Sequence, residues 1–391
     1  MTVATIGSRV GHSMATSLEG RCMGKIIHVA PSARQPVANP QLIRPDWTIG
    51  VPRDPSLLWL DRNENTDPEL AAVVARILSE IPTRVLCTYP ECAPLYRKLA
   101  AHLGVGVECL LLTAGSDGAI RSVFETYVNP GDVVIHTQPS FRMYAVYCQM
   151  FGATPVTLEY QPSDHGPSLP VENVVHTITQ VRPKLVCLPN PDSPTGTVFS
   201  PDHLRRIIEA AGEAKSLILI DEAYYPFHDW TALSWIHTYG HLVIARTFSK
   251  AWGLAGLRIG YAVSCPEVTN LLHKMRPSYE ANTLQVTLVE RLLDHASAMH
   301  DSVRRLNAGR DIFLAEMDGL GLRTIHAKGN FLHVAFGERA AAVHRLLQDV
   351  VLYHRESNDL CLKGFTRFSA TTVELFQPVI GRIRQVIAGA A

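Results

Sequence analysis

A chain of 391 residues, 47% hydrophobic and 18% charged, is long enough for more than one core and too apolar for a disordered chain. Its 36 basic residues balance 36 acidic ones, so the charge points to no nucleic acid and no acidic partner. No apolar run reaches the roughly 18 residues of a membrane helix. The eight cysteines show no CxxC pair and no Cys/His metal spacing, and read as buried, reduced thiols of a cytoplasmic protein without a metal site.

Residues 1–57 carry Ser, Gly and Pro without sustained periodicity and are expected to form an N-terminal arm. Near its start Arg9, Arg21, Lys25 and Arg34 face one acid, Glu19. Without a long apolar core this is no secretory signal, and an organelle transit peptide stays open as an alternative. From Pro68 to Ile81 ("PELAAVVARILSEI") apolar residues recur at helical spacing behind a proline, and Ala93–Gly104 repeats the pattern and stops on glycine. Short apolar runs then read as strands: Cys109–Gly115, Asp132–Thr137, Lys184–Pro191, Ser216–Ala223 and His241–Ser249, with a helix over Asp202–Ala214. Such alternation predicts an α/β fold with a largely parallel sheet covered by helices on both faces, and ligands at the carboxyl ends of the strands. After Pro277 the pattern turns helical, followed by "NFLHVAF", a helix near Ala340–Asp349, "FTRFSA" and a closing helix over Val373–Ala388, a smaller α+β piece. The expected division is the arm 1–57, a small domain from 58–85 with 278–391, and a large domain over 86–277.

Four polar clusters fall at strand ends. "AGSDGAI" (Ala114–Ile120) puts Gly and Ser at a strand-to-helix turn, where free backbone N–H groups suit an anion; a plain tight turn is the bland alternative. "PNPDSPTG" (Pro189–Gly196) is a proline-punctuated loop after a strand, and on composition alone reads first as a structural loop. "LIDEAYY" delivers Asp221 at the end of an apolar strand, where a carboxylate is costly without a cationic partner unless it merely caps a helix. "TFSKAWGLAGLRIGY" supplies Lys250, which at a buried strand end would have a lowered pKa and act as an amine nucleophile; a surface lysine in a turn is the alternative. Eight residues on, Arg258 offers a fork for phosphate, with Ser249 adding a hydroxyl. Together these describe one ligand with a phosphate (Ser116, Ser249, Arg258), a protonated ring nitrogen (Asp221) and an aldehyde (Lys250), demands that pyridoxal 5′-phosphate meets. His333, in an apolar strand, reads as packing.

The ordered set "AGSDGA", "NPDSPTG", "DEAYY" and "SKAWGLAGLRIGY" resembles fold-type I pyridoxal-phosphate aminotransferases. "LDRNENTDP", "TYPE", "SFRMY", "GNFL" and "TRFSATTVE" bring it nearest the histidinol-phosphate aminotransferase branch, over about residues 58–388. The resemblance implies an aspartate-aminotransferase-like fold with a mostly parallel seven-stranded sheet, and a homodimer with shared active sites. It further implies that Lys250 holds the cofactor aldehyde and shuttles the proton, that Asp221 pairs with the pyridinium nitrogen and that Tyr224 bonds the phenolic oxygen. Ser249, Arg258, Ser116 and Asp117 would hold the phosphate, Phe141 would stack on the ring, and Tyr89 would reach the phosphate in the other subunit. Arg367 would clamp the substrate carboxylate, with Asn330 on the substrate side.

Several positions depart from the family pattern. Ser193 stands where asparagine usually contacts the phenolic oxygen, Phe141 where tyrosine is usual, Arg142 where glycine is common, and Thr66 where proline follows "NEN". The arginine that precedes the carboxylate clamp is replaced by either His354 or Arg355, depending on register. These changes surround the substrate and leave the cofactor chemistry mostly intact. The implied reaction is transamination between an amino acid, or an amino-acid phosphate, and a keto acid or aldehyde. The alternatives are a decarboxylase related to threonine-phosphate decarboxylase and, from another class, a non-catalytic cofactor-binding regulator. Residues 1–57 show no helix-turn-helix or basic helix to support the last.

Overall fold

The structure, a computed structural model, describes residues 32–43 and 52–388; most of the expected arm therefore lies outside the described residues. In chain order the strands are β1 (Leu58–Trp59), β2 (Leu110–Thr113), β3 (Val133–Gln138), β4 (Thr154–Glu159), β5 (Leu185–Pro189) and β6 (Leu217–Asp221). They continue as β7 (Leu242–Thr247), β8 (Gly260–Ser264), β9 (Arg323–Ile325), β10 (Phe331–Ala335), β11 (Val351–Leu352) and β12 (Thr366–Ser369). Seven of them form one sheet in the order β2-β8-β7-β6-β5-β3-β4. All neighbours pair in parallel except β8, which runs antiparallel to both β7 and β2.

The continuous apolar runs become central strands because both faces are covered. Alternate residues enter two cores. Leu110, Leu112, Ile218 and Ile220 pack with Val174 and Ile178 of the helix Val171–Val181 and with Leu204 and Ile208 of the helix Pro201–Glu213. Leu111, Leu217 and Leu219 pack with Ile120 and Phe124 of the helix Gly115–Tyr127 and with Tyr144 of the helix Met143–Phe151. Two strands of this sheet, β4 and β8, are not among the runs read as strands from the sequence. β4 is the exposed edge and holds Pro155, which an edge strand tolerates. β8 follows directly on the glycine-rich turn and opens on Gly260.

A second, three-stranded antiparallel sheet (β12-β10-β9) packs on the helices Ala296–Gly319 and Val373–Ala388 through Leu332, Val334, Phe368, Phe313 and Phe376. Within 278–391, the buried apolar residues from Ala281 to Leu306 share the core of the central sheet, while Phe313, Leu314 and Met317 belong to the smaller one. The long helix Ala296–Gly319 thus spans both cores.

Candidate active site

The carboxyl ends of β2, β5, β6 and β7 converge on one edge of the sheet, and β8 enters there because it runs the other way. Gly260, its first residue, pairs with Thr113 at the end of β2 and Thr247 at the end of β7. This topology accounts for the spacing of Lys250 and Arg258. The chain leaves β7, turns through Gly253 at φ +69°, and returns past Arg258 into the antiparallel strand.

A candidate anion cradle lies at these returns. The helix Gly115–Tyr127 starts on Ala114 without a side-chain cap, so its first amides are free for an anion, and Ser116 and Asp117 lie in that first turn. Gly115 sits at φ +77°, a conformation that favours glycine, and a Cβ there would stand 3.0 Å from Arg258 Nη2 and crowd the guanidinium. Arg258 Nη1 donates to Ser249 Oγ at 3.1 Å. Asp117 accepts from Tyr147 OH at 2.7 Å.

Asp221 and Glu222 show how one strand end separates two carboxylates. Successive side chains take opposite faces. Glu222 accepts from buried Arg246 at 2.8 Å and caps Ala232, a closed structural pair. Asp221 turns to the cradle side, where Tyr144 OH donates to Oδ2 at 3.0 Å and the Ala223 amide to Oδ1 at 3.0 Å. Among the described residues no cation pairs with it. Burial pushes its pKa up to about 6.

Lys250 is half-buried, its Nζ donating to the Arg62 carbonyl at 2.8 Å. Burial, followed by the Arg367 charge, lowers its pKa to about 8. Its Nζ lies 5.7 Å from the Tyr224 ring centroid. The Tyr224 hydroxyl accepts from Asn63 Nδ2 at 2.9 Å, and Ser193 also acts on it. Phe141 is half exposed and meets Tyr144 edge-on at 5.9 Å. The low pKa of Lys250 has a direct consequence. In cofactor-free protein, modification of Lys250 by an acylating reagent should rise with pH through a midpoint near 8, because the amine is neutral and nucleophilic above its pKa. Peptide mass mapping reads this, and a midpoint at the ordinary lysine value would contradict it.

On the other wall, Arg367 of β12 is half-buried and donates from Nη2 to the Asp61 carbonyl at 3.0 Å. Asn330 is buried and donates to the Asn63 carbonyl at 2.9 Å. The His354 and Arg367 backbones pair directly, N to O at 3.1 and 2.9 Å. Directly opposed residues share a face, so His354 rather than Arg355 stands beside Arg367. Asp61 and Arg142 also act on the His354 ring. His354 and Arg355 are both exposed, and the Arg355 carbonyl accepts from Thr366. Tyr89 stands apart from this cluster, strongly exposed, with its ring stacked on Tyr279 at 4.7 Å.

Three neighbours had no readable signal. Tyr144 and Asn63 lie inside quoted motifs, but only the fold brings them to Asp221 and Tyr224. Asp192, fully buried, takes hydroxyls from Thr137 (2.6 Å), Ser140 (2.7 Å) and Tyr160 (3.0 Å), drawn from the ends of β3 and β4. It thereby ties the loop bearing Phe141 to the loop bearing Ser193.

Over residues 55–383 the chain matches the family Aminotransferase class I and II. The chain belongs to that family. It is 30% identical to a histidinol-phosphate aminotransferase of Moorella thermoacetica over 84% of this chain and 85% of that one. To histidinol-phosphate aminotransferase 1 of Idiomarina loihiensis it is 33% identical over 68% of this chain and 73% of that one. The fold matches the histidinol-phosphate aminotransferase of Sinorhizobium meliloti solved with pyridoxal 5′-phosphate, with TM-score 0.72, 22% identity and 85% and 91% of the two chains covered. It also matches an aspartate aminotransferase of Thermus thermophilus with maleate, with TM-score 0.68, 23% identity, and 85% and 92% covered. The protein is a pyridoxal-phosphate-dependent aminotransferase. The donor set fits that cofactor: a helix start where a Cβ at Gly115 would crowd the Arg258 guanidinium, a buried carboxylate without an ion-pair partner among the described residues, and a lysine with its pKa lowered to about 8. Among the described residues no helix is long and apolar enough to cross a membrane, and no cluster could hold a metal ion.

Proposed function

We propose that this aminotransferase moves an amino group between an amino acid, or an amino-acid phosphate, and a keto acid or aldehyde, acting as a cytoplasmic homodimer. The observation that carries the reading is Lys250, a lysine with lowered pKa beside Tyr224 and on the Arg367 side of the site. Once bound, the cofactor supplies the electron sink that acidifies the bond from the substrate's amino-bearing carbon to hydrogen.

The chain's own groups do the rest. Lys250 holds the cofactor aldehyde at rest and, once released, takes the proton from the substrate carbon and returns it on the other side of the reaction. Asp221, kept in place by Tyr144 and Ala223, holds the ring-nitrogen proton. Tyr224 and Ser193 bond the phenolic oxygen, and Phe141 covers the ring. The first turn of the helix Gly115–Tyr127, through Ser116 and Asp117, binds the phosphate with Ser249 and Arg258. Arg367 orients the substrate by its carboxylate, with Asn330 beside it. His354, opposed to Arg367 and within reach of the Arg142 charge, stands at the far end of the substrate from Lys250. The exposed Tyr89–Tyr279 stack supports a role for Tyr89 at the partner's phosphate, across a subunit contact.

The test offers amino acids and amino-acid phosphates singly to the purified holoenzyme. The expected result is bleaching of the long-wavelength cofactor band with stoichiometric keto product. Carbon dioxide without keto product would overturn transamination in favour of decarboxylation, and the absence of any cofactor band would overturn the site.

A further inference from the structure

The strand β10 sends alternate side chains to two faces. Leu332 and Val334 enter the small apolar core with Phe313 and Phe368. Phe331 and His333 take the opposite face, where Phe331 meets Tyr224 edge-on at 5.3 Å between ring centroids. His333 is directly opposed to Arg367 across the β10–β12 ladder, and His354 is directly opposed to Arg367 from its other side. Three neighbouring segments therefore lay His333, Arg367 and His354 in one row on the active-site face.

Packing does not account for the imidazole. His333 is 1% exposed, neither ring nitrogen has a hydrogen-bond partner, and buried Arg367 Nε lacks one too. Buried polar groups are almost always partnered, and an aromatic hydrocarbon would fill the same space without leaving nitrogens unsatisfied. Burial and then the Arg367 charge pull the His333 pKa down to about 3, so the ring is neutral and one nitrogen keeps a lone pair. The Pro194 carbonyl acts on the ring, short of a formed hydrogen bond, and is the nearby acceptor for its N–H.

We propose that His333 is a positioning residue for Arg367: its unprotonated ring nitrogen accepts from the Arg367 Nε–H as the guanidinium closes on the substrate carboxylate. The side edge of the guanidinium is then fixed at two points, Nη2 on the Asp61 carbonyl and Nε on His333. The end edge, Nη1 with the second Nη2 proton, is left for a two-point grip on the carboxylate. A neutral acceptor suits this place, since a second buried cation would repel the clamp.

This inference rests on the reading of Arg367 as the carboxylate clamp, so both residues are tested together in the holoenzyme. His333→Phe keeps the ring and loses the acceptor. It should raise KM for amino donor and keto acid alike by about tenfold with kcat within about twofold, while His333→Gln, which restores an acceptor, should recover most of the loss. A purely structural role would not split KM from kcat or be rescued by glutamine. If Arg367→Gln raises KM strongly and His333→Phe does not, the positioning role is overturned and the clamp stands. If Arg367→Gln leaves KM unchanged, the clamp reading fails and the inference with it. Should His333→Phe not fold, His333→Met against His333→Gln makes the same comparison, and equal KM values in the two would overturn the proposal.

Discussion

Replacing Lys250 with alanine should leave a protein that folds and binds cofactor but turns over about 10⁴-fold more slowly or worse. The loss combines removal of the proton carrier, commonly worth about 10²–10⁴-fold, with loss of the amine that holds the aldehyde at rest. No neighbour can substitute. Burial pushes Tyr224 above its ordinary pKa, and its hydroxyl is already engaged by Asn63. Asp221 is committed to Tyr144 and Ala223. Stability should not suffer, because the amine contributes one hydrogen bond, to the Arg62 carbonyl, and its burial disfavours the charged form. Steady-state kinetics with thermal unfolding of the cofactor-free variant checks both halves. A small exogenous amine should restore part of the rate, whereas activity within tenfold of wild type would contradict the assignment.

Asp221→Asn should lower kcat by about 10³-fold, in the range for losing one preorganised electrostatic group in a dry site. Asparagine keeps an oxygen for the Ala223 amide and a group facing Tyr144, so the change removes charge more than shape. In cofactor-free protein the sign on stability is the reverse. The folded-state pKa of Asp221 is raised from 3.8 to about 6, so the folded state binds the extra proton, and stability falls as pH climbs through that window. At pH 7 to 8 the asparagine variant should therefore be the more stable apo protein, by something on the order of 3 kcal/mol. With cofactor bound the order should narrow or reverse, because the ring-nitrogen cation stabilises only the carboxylate. Thermal shifts with and without cofactor read this, and an equal gain in both proteins would contradict the pairing.

Much of this arrangement was legible in the chain because its chemistry sits at strand ends. An apolar run that stops on Asp221 or leads to Lys250 announces its own termini, and a glycine-rich turn before Arg258 marks a return. Local patterns could not show which distant side chains would meet there. The Asp192 cluster draws hydroxyls from β3, the loop after it and Tyr160, with no periodicity to link them. The choice between His354 and Arg355 depended on pairing register, since a one-residue slip exchanges faces. His333 looked like core because its strand is apolar, and only the division of β10 between two faces separates it from Leu332 and Val334.

The most direct test of the central claim is to reduce the resting holoenzyme with borohydride, digest it, and locate the pyridoxyl group by mass spectrometry. The account predicts one modified residue, Lys250, within the peptide that follows β7. Label on another lysine, or none on Lys250 in protein that shows the cofactor band, would contradict it.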